Sequence, residues 1–160
     1  MWMALGALAL AAPEMIPEND VDLVGRTAPS FTAQSDDGAE FTLDSTRGKT
    51  VVLSFWASWC GPCRLELPAL AALQKERDDI VIYAVNVDRT RQDAKKFLSS
   101  VSFDLPIVWD NRAEALGQYD VMSMPTMFLI DRNGTVKWRK TGFSRENGLK
   151  ELEEQLGGLR

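Results

Sequence analysis

The hydrophobic positions of this chain alternate between unbroken apolar runs and helical spacings. Residues 50–57 (TVVLSFWA) and 80–88 (IVIYAVNVD) are continuous apolar runs, the pattern of strands covered on both faces. Ahead of them, residues 30–34 and 40–43 form two short strand-like runs separated by Asp36-Asp37-Gly38, a hairpin signal. Residues 64–77 read as a helix, with Pro68 near the first third, where it bends the helix without ending it. Residues 90–100 form a second helix with Ala94, Phe97 and Leu98 on one face. A short extended run at 105–109 and a short helix at 113–119 follow. Residues 126–131 (TMFLID) are a strand, Asp131-Arg132-Asn133-Gly134 a turn, and 135–140 the return strand. A closing helix is predicted over 144–156, carrying Leu149, Leu152 and Leu156 and ending at Gly157-Gly158. Strands that alternate with helices imply an α/β layer fold. The strands near 51 and 80, joined through a helix, are expected to be parallel with a right-handed crossover. Those at 126 and 135, joined by a tight turn, must be antiparallel, so the sheet is mixed.

Residues 1–13 (MWMALGALALAAP) are almost wholly apolar and uncharged, with Ala-x-Ala spacings at Ala7, Ala9 and Ala11. That resembles the apolar core of an export signal, although the basic segment that normally precedes it is missing. The run is too short for an ordinary transmembrane helix. The alternatives are the end of an N-terminal anchor, a flexible segment, or a short helix docked on the domain. Residues 14–28 read as polar, carry Pro17 and are bordered by Pro13 and Pro29, the pattern of a linker into the domain. The expected organisation is a signal- or anchor-like segment and linker over 1–23 and one domain over 24–160.

Composition narrows the chemistry. The chain has 160 residues, 45% hydrophobic and 26% charged, a globular composition of one-domain size. Its net charge of −5 offers no basic field for nucleic acid or an anionic membrane. There is no histidine, which excludes Ser-His and Cys-His nucleophile pairs and His-based metal sites. There are two cysteines, too few for a four-Cys zinc site or a multi-disulfide scaffold.

Those cysteines are Cys60 and Cys63. A disulfide across so small a loop adds little by loop closure, and no second ligand pair exists to complete a metal site. Elimination leaves a redox-active pair, against the alternative of two reduced thiols buried in the core. The pair follows the apolar strand and opens a helix. The unpaired N–H groups and positive dipole end of a helix's first turn stabilise a thiolate, and cysteines so placed titrate at roughly 3.5–7.5 instead of about 8.5. Pro62 suits a first helical turn, and Gly61 lets a partner's backbone come close.

The run FWASWCGPC (Phe55 to Cys63), followed sixty residues later by Met124-Pro125-Thr126 before a strand, resembles the thioredoxin superfamily. The run from Trp59 through Pro68, with Arg64 and Glu66, and the segment from Gly25 to Phe31 resemble its TlpA/ResA-like branch of extracytoplasmic thiol-disulfide oxidoreductases. The likeness covers residues 24–156. It implies a thioredoxin fold, a central mixed β-sheet flanked by helices with an N-terminal β-hairpin extension. It implies a cis bond before Pro125, packed beside the cysteines; the plain alternative is a trans proline at a strand entry. It implies no metal and no organic cofactor. The superfamily's usual buried Asp, six residues before the first Cys, is replaced here by Ser54. In ResA-like relatives an acid matching Glu66 activates the cysteines; the other reading of Glu66 is a first-turn acid in solvent that complements the helix dipole.

The expected catalytic residues are therefore Cys60, Cys63 and Glu66. Trp59, Gly61, Pro62, Met124 and Pro125 are the expected substrate-binding residues, with Met122 and Met124 forming an apolar ledge. The remaining tryptophans read as packing, and Asp88-Arg89 as a loop that could gate the site. The expected function is exchange of a Cys60–Cys63 dithiol/disulfide with protein disulfides, as a reductase in a periplasm-like compartment, with cytochrome c maturation as a family-level role. The expected electron donor is a membrane thiol carrier or a thioredoxin-like protein, and the chain is expected to act as a monomer, anchored through its N-terminus or exported. A binding or chaperone module without a redox cycle, and a disulfide oxidase or isomerase, are the competing readings. A peroxide reductase shares the fold and leading hairpin, but its Pro-x-x-x-Thr-x-x-Cys box is absent.

Overall fold

The computed structural model describes residues 22–159. Among them, seven strands form one mixed sheet: β1 (Thr32–Ser35), β2 (Glu40–Thr42), β3 (Thr50–Trp56), β4 (Ile80–Asn86), β5 (Ile107–Trp109), β6 (Thr126–Ile130) and β7 (Val136–Thr141), in the order β2-β1-β5-β4-β3-β6-β7. The helices are α1 (Cys63–Glu76), α2 (Arg91–Ser100), α3 (Glu114–Gln118) and α4 (Lys150–Gly157), with a 3-10 turn at Leu43–Thr46. β3, β4 and β5 run parallel, while β6 is antiparallel to β3, and β7 to β6. β1 and β2 make an antiparallel hairpin that joins the sheet through β5. This is the thioredoxin fold with the leading hairpin.

β3 is buried along its whole length. Successive side chains point to opposite faces, and both faces are covered. Val52 and Trp56 join Leu67 and Leu70 of α1, Phe97 of α2 and Leu152 of α4 in one core. Val51, Leu53 and Phe55 join Phe31, Tyr119 and Phe128 in the other. Tyr119 centres the second core, with rings of Phe55 at 5.5 Å and Phe128 at 5.0 Å, and its hydroxyl donates to the Pro29 carbonyl at 2.8 Å. Burying one side chain such as Leu53 contributes about 2–3 kcal/mol.

Two expectations change. Residues 22–28 are not the end of a linker: Leu23 and Ala28 are buried, Gly25 N donates to Val136 O, and Val136 N donates to Arg26 O. The segment lies along the edge of β7, which its lack of a strand or helix pattern hid. The closing helix starts at Lys150, because Gly148 takes a left-handed φ of 49° and residues 145–149 form turns instead. Pro68 does lie inside α1 without ending it. The signal- or anchor-like reading of residues 1–13 falls outside the described residues. Among the described residues no helix is long and apolar enough to cross a membrane.

Candidate active site

β3 ends at Trp56, and residues 57–62 carry the chain into α1. Cys60 and Cys63 form a disulfide with Cα atoms 5.4 Å apart. Cys63 is fully buried and Cys60 nearly so, and they sit in the core between sheet and α1. The Cys63 backbone N–H, the first of α1, donates to Cys60 Sγ at 3.2 Å. The helix thus offers Cys60 a donor and the positive end of its dipole, as the sequence position requires. Pro62 has φ −60° and ψ −26°, already helical, and lacks only an N–H that would have no partner there. Gly61 is exposed, and a Cβ there would meet nothing within 4 Å, so no contact inside the protein demands glycine. Trp59 is 70% exposed beside the pair, at the rim.

Glu66 lies one turn beyond Cys63, and its side chain points inward. It is fully buried, which overturns the solvent-exposed reading. Ser54 Oγ of β3 donates to Glu66 Oε1 at 2.5 Å, while Oε2 has no hydrogen-bond partner. Burial pushes the carboxyl from about 4.5 up to about 7, against the opposing pull of the Ser54 hydrogen bond and the positive charge of Lys140. The position where the superfamily carries an acid is therefore filled by a hydroxyl, and the acid reaches it from the helix.

The Met124–Pro125 bond is cis, as the resemblance implied. Pro125 is buried and directly precedes β6, whose Thr126 pairs with Phe55 of β3. The proline loop and the cysteine loop hence leave the same edge of the sheet. Thr126 Oγ1 donates to Ser123 O at 2.8 Å, and Gly142 N donates to Pro125 O at 2.8 Å, which fixes the loop. Met122 is 85% exposed there, and Met124 is half-buried.

Asp88, read from sequence as part of a loop, is buried and bonded. Its carboxylate accepts from Ser58 N at 2.9 Å, Ser58 Oγ at 2.8 Å and Asn86 Nδ2 at 2.8 Å. It ties the cysteine loop to the end of β4, so it is a clamp and not a gate. The signal for it in sequence was only an acid directly after an apolar strand. Asp88→Ala strands the half-buried Ser58 and buried Asn86 donors and is expected to lower stability by about 3 kcal/mol. Urea unfolding checks this, and an unchanged midpoint would contradict it. Asp110, also not singled out from sequence, caps α3 by accepting from the N–H groups of Glu114, Ala115 and Leu116.

A groove of about 410 Å³ lies elsewhere, at the β1 and β5 edge. Arg91 lines it, with its guanidinium over the Trp109 ring and bonded to Gln34 and Asn111. No cluster of metal-ligating side chains occurs among the described residues.

A thioredoxin fold with a Cys-x-x-Cys disulfide at the β3–α1 junction and a cis-proline beside it defines the class: a thiol-disulfide oxidoreductase. The chain belongs to the AhpC/TSA family, which matches residues 24–139, and within it is similar to the ResA-type oxidoreductases. The thiol-disulfide oxidoreductase ResA of Geobacillus thermodenitrificans is 38% identical over 135 residues, 83% of this chain and 78% of that protein. The structure of a Chlorobium tepidum protein described as a thiol:disulfide interchange protein DsbE superposes with a TM-score of 0.79 at 36% identity, covering 85% of this chain and 96% of that one. The exposed lipoprotein thioredoxin of Streptococcus pneumoniae superposes with a TM-score of 0.68 at 30% identity, covering 79% and 99%. The peroxide-reductase box is absent at the site, since Leu53 and Ala57 stand where it would need Pro and Thr before Cys60.

Proposed function

We propose that this protein reduces disulfides in protein substrates outside the cytoplasm, with Cys60 as nucleophile, Cys63 as resolving thiol and Glu66 as proton acceptor. The observation that carries the reading is the asymmetry of the pair. Cys60 retains slight exposure and receives the first N–H of α1, while Cys63 is sealed in the core one helical turn before Glu66. In the reduced protein the Cys60 thiolate attacks one sulfur of a substrate disulfide. That S–S bond breaks, a mixed disulfide forms, and the first substrate thiolate leaves and takes a proton. Cys63 gives its proton to Glu66, and its thiolate attacks Cys60 Sγ. The second substrate thiolate leaves, so the substrate gains two electrons and the chain is left with the Cys60–Cys63 disulfide. An acceptor near 7 suits proton transfer at neutral pH.

Trp59, Gly61, Pro62, Met122, Met124 and Pro125 form the surface on which an extended substrate segment docks. The bare backbone at Gly61 admits its close approach, and the two exposed apolar side chains flank it. Re-reduction falls to a membrane thiol carrier or a thioredoxin-like donor. The extracytoplasmic setting is supported by the apolar segment at 1–13, which we assign to export or anchoring, and by the exposed lipoprotein among the relatives. Cytochrome c maturation is the proposed pathway. We assign the domain itself to 24–160.

The Gly61-Pro62 dipeptide favours reduction over oxidation. A redox titration against glutathione is expected to give a midpoint potential below roughly −180 mV. A value well above that would reassign the protein as an oxidase or isomerase.

A further inference from the structure

β3, β6 and β7 are in register at Ser54, Met127 and Lys140. Side chains opposite one another on neighbouring strands project to the same face of a sheet. That face is the one covered by α1 and α4. Ser54 bonds Glu66 of α1. Lys140 Nζ donates to Glu151 Oε1 of α4 at 2.5 Å. The Lys140 side chain is only 18% exposed, whereas that of Glu151 is 49% exposed. A mostly buried Lys140 side chain thus shares a sheet face with one sealed carboxyl and bonds one that reaches water.

We propose that Lys140 is a positioning residue for proton acceptance at Glu66, with Glu151 as the surface acid that holds it and competes for its charge. The proposal rests on Glu66 being the proton acceptor, as argued above. A positive charge beside a buried carboxyl favours its ionised form, and the low dielectric lets that attraction act at longer range than in water. The direction is already visible, since Lys140 pulls the Glu66 carboxyl down against the effect of burial. The other elements around Glu66 supply no competing charge. β3 and β6 carry no ionisable side chain, Ala84 of β4 faces Ser54, and α1 adds Cys63, bonded to Cys60. Lys150, Glu153 and Glu154 of α4 and Lys137 of β7 are exposed, and Arg139 of β7 lies over the Phe128 ring in the other core. Arg64 of α1 is exposed and turned to Ser100 and the Phe97 ring, and Lys75 and Glu76 of α1 lie exposed at its far end. The plainer account makes Lys140 an edge-strand charge in a surface ion pair of little consequence.

The two accounts separate on the sign of two substitutions. The oxidised full-length protein, labelled with carboxyl-¹³C glutamate, is titrated by NMR, with the Glu66 resonance identified by its loss in Glu66→Gln. Lys140→Met is expected to raise the Glu66 midpoint by about one pH unit. Glu151→Gln, which frees Lys140 to act on Glu66, is expected to lower it by about half a unit. Lys140→Arg, which keeps the charge, is expected to stay near wild type and stands in if the methionine variant fails to fold. Absence of movement in Lys140→Met and Glu151→Gln, or movement of both the same way, overturns the proposal. If Glu151→Gln alone is folded, a midpoint that does not fall has the same meaning. Exchange kinetics of Glu66→Gln separate the underlying reading. A wild-type rate and pH profile there removes Glu66 as acceptor and takes the proposal with it. A lost pH-dependent step with unmoved midpoints leaves Glu66 standing and removes only Lys140.

Discussion

Cys60→Ser is expected to abolish insulin-disulfide reduction, a loss of about a thousandfold or more, because it removes the attacking sulfur outright. Cys63→Ser is expected to behave differently. Its Cys60 can still complete the first attack, so turnover stops after one mixed disulfide instead of before it. The difference follows from the site. Cys60 receives the first N–H of α1 and keeps a trace of exposure, whereas Cys63 is closed off beneath it. The Ala57-to-Pro62 loop is held by Asp88 independently of either sulfur, so both variants should fold. Single-turnover and steady-state assays distinguish them. Equal loss of the first turnover in both would contradict the assignment of roles. Retained cellular function in Cys60→Ser would instead favour a binding or chaperone module.

Glu66→Gln is expected to slow resolution by about a hundredfold at pH 7, the scale of general acid–base assistance. The same change alters stability in the opposite sense. The Glu66 carboxyl is raised from about 4.5 to about 7 by burial. Between those values the unfolded chain has released this proton and the native chain still holds it, so stability falls as pH rises. The contribution present below pH 4.5 is lost by the time pH passes 7, a total of about 3 kcal/mol. Glutamine can keep the Ser54 hydrogen bond through its carbonyl oxygen but cannot ionise. Its unfolding free energy should therefore lack that decline, and the variant should gain on wild type as pH rises from 5 to 8. Urea unfolding across that range reads it. Parallel profiles for the two proteins would mean that Glu66 is not the raised acid.

How much of this was legible depends on the range of the interaction. The apolar run of β3, the crossover to β4, the turn before β7 and the cysteine pair at a strand-to-helix junction are local patterns, and each lies where its residues indicated. Hydrophobicity misled at both ends of the domain. Residues 22–28 show no strand or helix pattern yet bury Leu23 and Ala28, because their backbone groups find partners on β7 and the turn before it. Leucine spacing carried the last helix back to 144, but Gly148 adopts a left-handed conformation that interrupts it. At the site, an acid among leucines could face either way on α1, and only the distant Ser54 decides for the core. Asp88 and Lys140 were opaque for the same reason, since their partners are 30 and 11 residues away.

The central claim, that Cys60 carries the substrate and Cys63 releases it, is tested most directly by mixing Cys63→Ser with a defined disulfide-bonded protein and measuring intact mass and peptide maps without reductant. The account predicts one reducible adduct, joined at Cys60, and none in Cys60→Ser/Cys63→Ser. No adduct from a folded, reduced Cys63→Ser protein would contradict it.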